Sequence, residues 1–237
     1  MKLIKDLGRY LLMLKGMFSK PENGKMYWKE FMHQCNDIGI GSLGIGAVST
    51  LQTAYQLVSP LLPNTIIAQI VRDTVILEFA PTLTCIVLAG VVGSKIASEL
   101  GNMRVSEQID ALEIMGINTK SYLIMPKILA GLLTIPFLVV IAMTLGIWGG
   151  RLAGNLTGIV PYEAFDKGLH ESFIPYNVIF ALAKSYTFAF IISSVPSFYG
   201  YYVKGGALEI GRASTKAVVV SCILLLFADY VLSALLL

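Results

Sequence analysis

Gly90-Val-Val-Gly-Ser-Lys-Ile-Ala-Ser-Glu-Leu-Gly-Asn-Met-Arg-Val-Ser-Glu-Gln-Ile-Asp-Ala-Leu-Glu-Ile-Met-Gly116 is a polar, charge-patterned stretch set between two apolar runs of membrane length. From Val105 the apolar residues Val105, Ile109 and Leu112 fall at i, i+4 and i+7, while Glu107, Asp110 and Glu113 recur every three residues on the other side. That periodicity predicts a short amphipathic helix, stopped by Gly116 and Asn118. A helix of this kind, held at a membrane surface, offers an acidic face to a soluble partner.

The flanking composition sets the class. Of 237 residues, 55% are hydrophobic and 14% charged, where a soluble domain carries about 25% charged residues. The chain therefore reads as an all-α integral membrane protein. A spanning helix needs about 20 mostly apolar residues, and five stretches meet that: Ile38–Val58, Thr74–Ala97, Ile124–Trp148, Asn177–Tyr202 and Thr215–Leu237. Pro126 and Pro136 in the third and Pro196 in the fourth are breaks that neighbouring helices can re-satisfy.

Ahead of the spans, Met1 to Lys20 interleaves Lys2, Lys5, Arg9 and Lys15 with Leu, Ile and Met, with no cleavable signal pattern. It predicts a helix lying in the interface, basic face toward anionic headgroups. Residues 1–30 are accordingly an amphipathic interfacial helix and linker, and 31–237 a single transmembrane domain. Basic residues orient the chain. Seven lie before the first span, four between Lys95 and Lys127 and three between Lys204 and Lys216, against Arg72, Arg151 and Lys167 on the other side. The N-terminus, the 90–126 segment and the 203–216 loop are thus expected in the cytoplasm. The acidic stretch from Arg151 to Pro175, with Glu163, Asp166 and Glu171, is expected outside, either meeting a partner or simply connecting.

Three ionisable residues fall inside the apolar spans: Glu78, Lys184 and Asp229. Each costs about 2.5–3.5 kcal/mol at a helix centre and should face an interior or a watery cavity. At about 1.5 Å per residue all three lie roughly 7–12 Å from the outer boundary. Two readings stay open: a charged belt in a cavity, or a buried ion pair pinning helices. Tyr186, Phe188, Phe190, Phe198 and Tyr199 are candidates for an apolar wall beside them.

Other motifs carry less. Gly146, Gly150 and Gly154 recur every four residues, and Gly39, Gly41, Gly44 and Gly46 crowd the first span. Such spacing lets backbones approach within one subunit or across a dimer seam. Gly206 to Gly211 has P-loop spacing, but Arg212 and Ala213 stand where that loop needs Lys and Ser/Thr, and no strand precedes it. Any ATPase must then be a separate chain. Cys35, Cys85 and Cys222 show no metal or disulfide spacing. His33 and His170 lie near opposite faces with no catalytic cluster around them, so nothing supports a membrane enzyme.

The run from Ser98 to Gly116 closely resembles the signature of MlaE-type permeases, the membrane subunits of ABC transporters that move lipids with MCE-domain partners. Ile147-Trp-Gly-Gly150, Ala183-Lys-Ser185, the stretch from Gly205 to Val219 and Asp229-Tyr-Val-Leu-Ser-Ala234 fit as well, so the likeness covers roughly residues 35 to 237. Leu77 and Val91 depart from it, since the family commonly carries Arg at both positions.

The resemblance implies a permease domain with an ATPase-coupling segment at 99–118, its contacts Glu99, Arg104, Glu107, Gln108, Asp110 and Glu113. It implies that Glu78, Lys184 and Asp229 line or border the lipid pocket. It further implies a bacterial inner membrane location, a second copy of the chain, an ATP-binding subunit, an MCE-domain protein outside, and a phospholipid as cargo in the upkeep of outer-membrane lipid asymmetry. No cofactor, metal or nucleic acid is expected. The alternative is an ion-coupled secondary lipid carrier with Glu78 and Asp229 as proton relays, which has no need of a cytoplasmic docking helix.

Overall fold

The computed structural model of the chain describes residues 2–17, 28–29, 31–33, 64–156 and 160–236. The expected span Ile38–Val58 lies outside the described residues. Every regular element among the described residues is helical. Four of them are long and apolar enough to cross a membrane: Thr65–Val105, Lys120–Leu152, Pro175–Tyr201 and Ala207–Leu236.

Helix α1 is Lys2–Met17. Helix α2 runs without a break through Asn64–Thr74, Val75–Leu83, Thr84–Leu88, Ala89–Gly93 and Ser94–Val105, with wider π-type turns at Val75–Leu83 and Ala89–Gly93. Helix α3 is Gln108–Ile114. Helix α4 joins Lys120–Ile124 to Met125–Leu156, α5 is Tyr162–His170, α6 is Pro175–Tyr201 and α7 is Ala207–Leu236.

The helices run beyond the expected spans at several boundaries, for one reason. Helix α2 ends at Val105 rather than Ala97, and α4 at Leu156 rather than Trp148. Helix α2 starts ahead of Thr74 and α7 ahead of Thr215. Polarity ends an apolar run without ending a helix. Asn64–Thr74 is amphipathic, and the first turns of α7 are good helix formers stitched by the Glu209–Arg212 pair at 2.6 Å. Gly211 lies inside α7, so the Gly206–Gly211 spacing belongs to a helix and not to a phosphate loop.

The chain forms two compact units. One gathers the described parts of residues 1–41 with 88–134 and 189–224; the other gathers those of 42–87 with 135–188 and 225–237. In the first, Ile96, Leu100, Ile109, Ile124, Ala130 and Ile192 are buried. Helix α1 is fastened there: Met13 and Met17 are buried, the Tyr10 hydroxyl lies 2.7 Å from Ser194 Oγ, and its ring meets Phe198 edge-on. Leu7, Leu11 and Leu12 stay exposed, an apolar face suited to lipid.

In the second unit, Ile67, Val71, Val139, Phe165, Phe180 and Phe188 are buried. Here the 151–175 stretch holds a helix, α5, docked on the start of α2. Arg72 is 2% exposed and its guanidinium is fully used. It pairs with Asp73 at 2.9 Å and donates to the carbonyls of Gly168, Leu169, Glu171 and Ser172, where α5 ends and leaves acceptors open. The Arg151 fork likewise grips Asp166 at 2.8 Å and holds that carboxyl below its usual range.

The α2–α5 approach needs Gly168. A Cβ there would run into the Thr65 carbonyl oxygen and stand 2.8 Å from Ala68 Cβ. Gly168→Ala is expected to cost about 1–3 kcal/mol by overpacking. Gly211→Ala, whose Cβ meets nothing within 4 Å, is expected to be neutral or slightly stabilising. Thermal unfolding of the two variants in detergent checks the contrast.

Candidate functional site: a buried lysine cluster and a surface helix

Helices α2, α6 and α7 each bring one ionisable side chain to a single point. Lys184 is 0% exposed, and its Nζ lies 2.6 Å from Asp229 Oδ1 and 2.9 Å from Glu78 Oε1. Nζ also donates to the Leu77 carbonyl at 3.2 Å, in the wide-turn part of α2 that contains Pro81. Lys184 thus hydrogen-bonds Glu78 and Leu77 O and is ion-paired with Asp229. The Phe180 ring, one helical turn before Lys184, lies 5.0 Å from Nζ. Thr82, one turn after Glu78, donates to Asp229 at 3.2 Å, with Glu78 Oε2 at 3.4 Å.

Exposure divides the cluster. Glu78 is 43% exposed and Asp229 18%, against none for the lysine. The equal depths counted along the three helices therefore correspond to direct contact. Leu77 O, Thr82 and Phe180 were not foreseen. Thr82 and Phe180 carried a signal, the one-turn offset from a charged residue on a helix. The expected aromatic wall does not gather here: Phe198 packs on Tyr10, Tyr199 and Tyr202 in the other unit, and Tyr186 is exposed.

The 99–118 segment folds differently from a single amphipathic helix. Helix α2 continues to Val105, then Ser106 closes on Asn102 O at 2.7 Å. Glu107 takes a left-handed φ of 59°, and α3 starts afresh at Gln108. The periodic count from Val105 thus crosses a break. Glu113, one turn on from buried Ile109, stays exposed, yet its carboxylate reaches across to α6.

Glu113 Oε1 accepts from Tyr201 OH at 2.8 Å and from Thr119 Oγ1 at 3.0 Å, and the two hydroxyls lie 2.7 Å apart. Arg104 bridges the break to Asp110 at 2.7 Å, with its guanidinium 5.9 Å from the Tyr201 ring centre. Glu99 pairs with the buried Lys127 at 2.7 Å. Glu99, Arg104, Asp110 and Glu113 are thus engaged within the chain, while Glu107 and Gln108 are exposed. The tip is apolar instead: Ile114 is 87% and Met115 65% exposed, just before Gly116 turns the chain at φ 82°.

Comparison with known proteins places this geometry. The family described as Permease MlaE matches residues 31–235. The chain belongs to the MlaE permease family. It is 33% identical over 242 residues to a probable ABC transporter permease protein of Rickettsia bellii, covering 99% of this chain and 93% of that one. It is 32% identical over 219 residues to the chloroplastic protein TRIGALACTOSYLDIACYLGLYCEROL 1 of Arabidopsis thaliana, spanning 89% of this chain and 62% of the relative. The intermembrane phospholipid transport system permease protein MlaE of Haemophilus influenzae is 29% identical over 243 residues, covering 96% of this chain and 90% of that one.

As an MlaE-family protein the chain is a permease subunit of the ABC type and not itself an enzyme. Four of its described helices are long and apolar enough to cross a membrane. The open tip of α3 is directly measurable. Ile114→Cys and Met115→Cys are expected to react rapidly with a membrane-impermeant maleimide when both faces are accessible. Ile109→Cys, 0% exposed in the wild-type chain, is expected to stay protected until the protein is unfolded.

Proposed function

We propose that this permease passes a phospholipid between the inner membrane and an MCE-domain protein on the far side, driven by a separate ATPase chain. Two copies form the pathway, and the N-terminus lies in the cytoplasm. The observation that carries the reading is the Lys184 cluster: a wholly buried ammonium among apolar spans, held by two acids from two other helices, one of them open to the surface. Intramembrane charge is expensive and marks a pathway more often than a mere fastening. In this reading Glu78, Lys184 and Asp229 border the lipid cavity. The phospholipid named for the Haemophilus influenzae relative supports the cargo, and the excess of basic residues in the N-terminal segment, the 95–127 region and the 203–216 loop supports the orientation.

The ATPase docks on the 99–118 segment. Its outward residues, Glu107, Gln108, Ile114 and Met115, meet the partner; Glu99, Arg104, Asp110 and Glu113 hold the segment to the permease and pass its displacement on to α4 and α6. Ile114→Asp combined with Met115→Asp is expected to lower ATPase co-purification at least about tenfold, by burying unpaired charge in the contact. Retention at the wild-type ratio sinks the assignment.

The lipid-pathway role rests on a comparison of stability with transport. Lys184→Ala leaves two acids without their cation, and is expected to stop lipid transfer in a reconstituted system while lowering the thermal midpoint less than Gly168→Ala does. If the cluster only pins helices, breaking it costs about 3–5 kcal/mol, and transport falls only in proportion to folded protein.

A further inference from the structure

The charge count at the Lys184 cluster does not close. One ammonium faces two carboxylates, Glu78 and Asp229. Other cations in this unit are spent elsewhere: Arg72 on Asp73 and four carbonyls, Arg151 on Asp166. Lys167 and His170 belong to α5, where they line a surface cavity with Glu163, Asp166 and Glu171. The apolar stretch 38–58 contains no Lys, Arg or His. The cluster therefore carries one net negative charge.

Its hydrogen-bonding capacity is just as one-sided. Lys184 is wholly buried, hydrogen-bonded to Glu78 and Leu77 O and ion-paired with Asp229, and presents no exposed donor to an incoming phosphate. The one hydroxyl beside it, Thr82, faces the same two carboxylates. What remains open is acceptor capacity on Glu78, 43% exposed beside a wholly buried lysine. A carboxylate accepts and does not donate, and in a low-dielectric setting its preference for a cation over an anion is stronger than in water.

We propose that Glu78 selects the headgroup, and that the cluster takes lipids whose headgroup carries an ammonium over lipids with an anionic headgroup. This rests on the reading that the cluster borders the lipid pathway. The ammonium completes the charge balance that Lys184 leaves open. The lipid's phosphate is held by other groups, because the buried Lys184 is out of its reach.

The test uses the complete transporter in vesicles containing equal amounts of phosphatidylethanolamine and phosphatidylglycerol, each labelled, with ATP-driven transfer of both followed together. The wild type is expected to favour phosphatidylethanolamine about fivefold, the scale of one partly exposed charge pair. Glu78→Gln, which keeps the shape but removes the charge, is expected to bring the ratio near one. Glu78→Asp, which keeps the charge, is expected to retain a preference. Equal transfer by the wild type overturns the proposal, and so does an undiminished preference in Glu78→Gln. Lys184→Ala separates the two levels. If it stops transfer while the wild type shows no preference, the pathway reading stands and the headgroup inference falls. If it transfers both lipids at the wild-type rate, the pathway reading falls too.

Discussion

An ammonium that reaches no water must find three acceptors within the protein, and at Lys184 that demand organises its surroundings. Leaving such a group unpaired in an apolar interior costs several kcal/mol. The acceptors come from α2 and α7: the Glu78 carboxylate, the Leu77 carbonyl and Asp229. The backbone acceptor, Leu77 O, lies within the wide turns of α2.

Close backbone approach is the second constraint, met at a few glycines. At Gly200 a Cβ would stand 2.6 Å from the Ala97 carbonyl oxygen and 3.0 Å from Leu100 Cβ, so α6 and α2 can pack this closely only without a side chain there. Small residues give transmembrane helices their contact, because lipid tails compete for every larger apolar surface. Gly168 plays the same part for α5, whose end is then capped by Arg72.

Much of this was legible in the sequence. Apolar length marks the described spans, and helical rise alone places Glu78, Lys184 and Asp229 at one depth. What escaped was of three kinds. The starts of α2 and α7 were missed because hydropathy reports where a membrane ends, while Asn64–Thr74 and the first turns of α7 are polar stretches that stay helical. Partners drawn from the backbone, such as Leu77 O, leave no trace in side-chain chemistry. The left-handed Glu107 is a third instance: a glycine would have announced the break, and a glutamate did not.

That break changes what the acids of the 99–118 segment do. In an unbroken helix from Val105, Glu107, Asp110 and Glu113 form one outward face; restarted at Gln108, the segment turns Glu113 to Tyr201 and Thr119 and pairs Asp110 with Arg104. Although exposed, the Glu113 carboxylate accepts two hydroxyls and so ties its helix down more firmly than an unpartnered one. Surface charge is also easily exchanged and screened by salt, whereas contacts of this kind fix the distance between elements. Helix α3 is consequently stiffly joined to α6 through Tyr201 while exposing two apolar side chains at its end. Helix α6, to which α3 is hydrogen-bonded at Tyr201, is the same helix that carries Lys184.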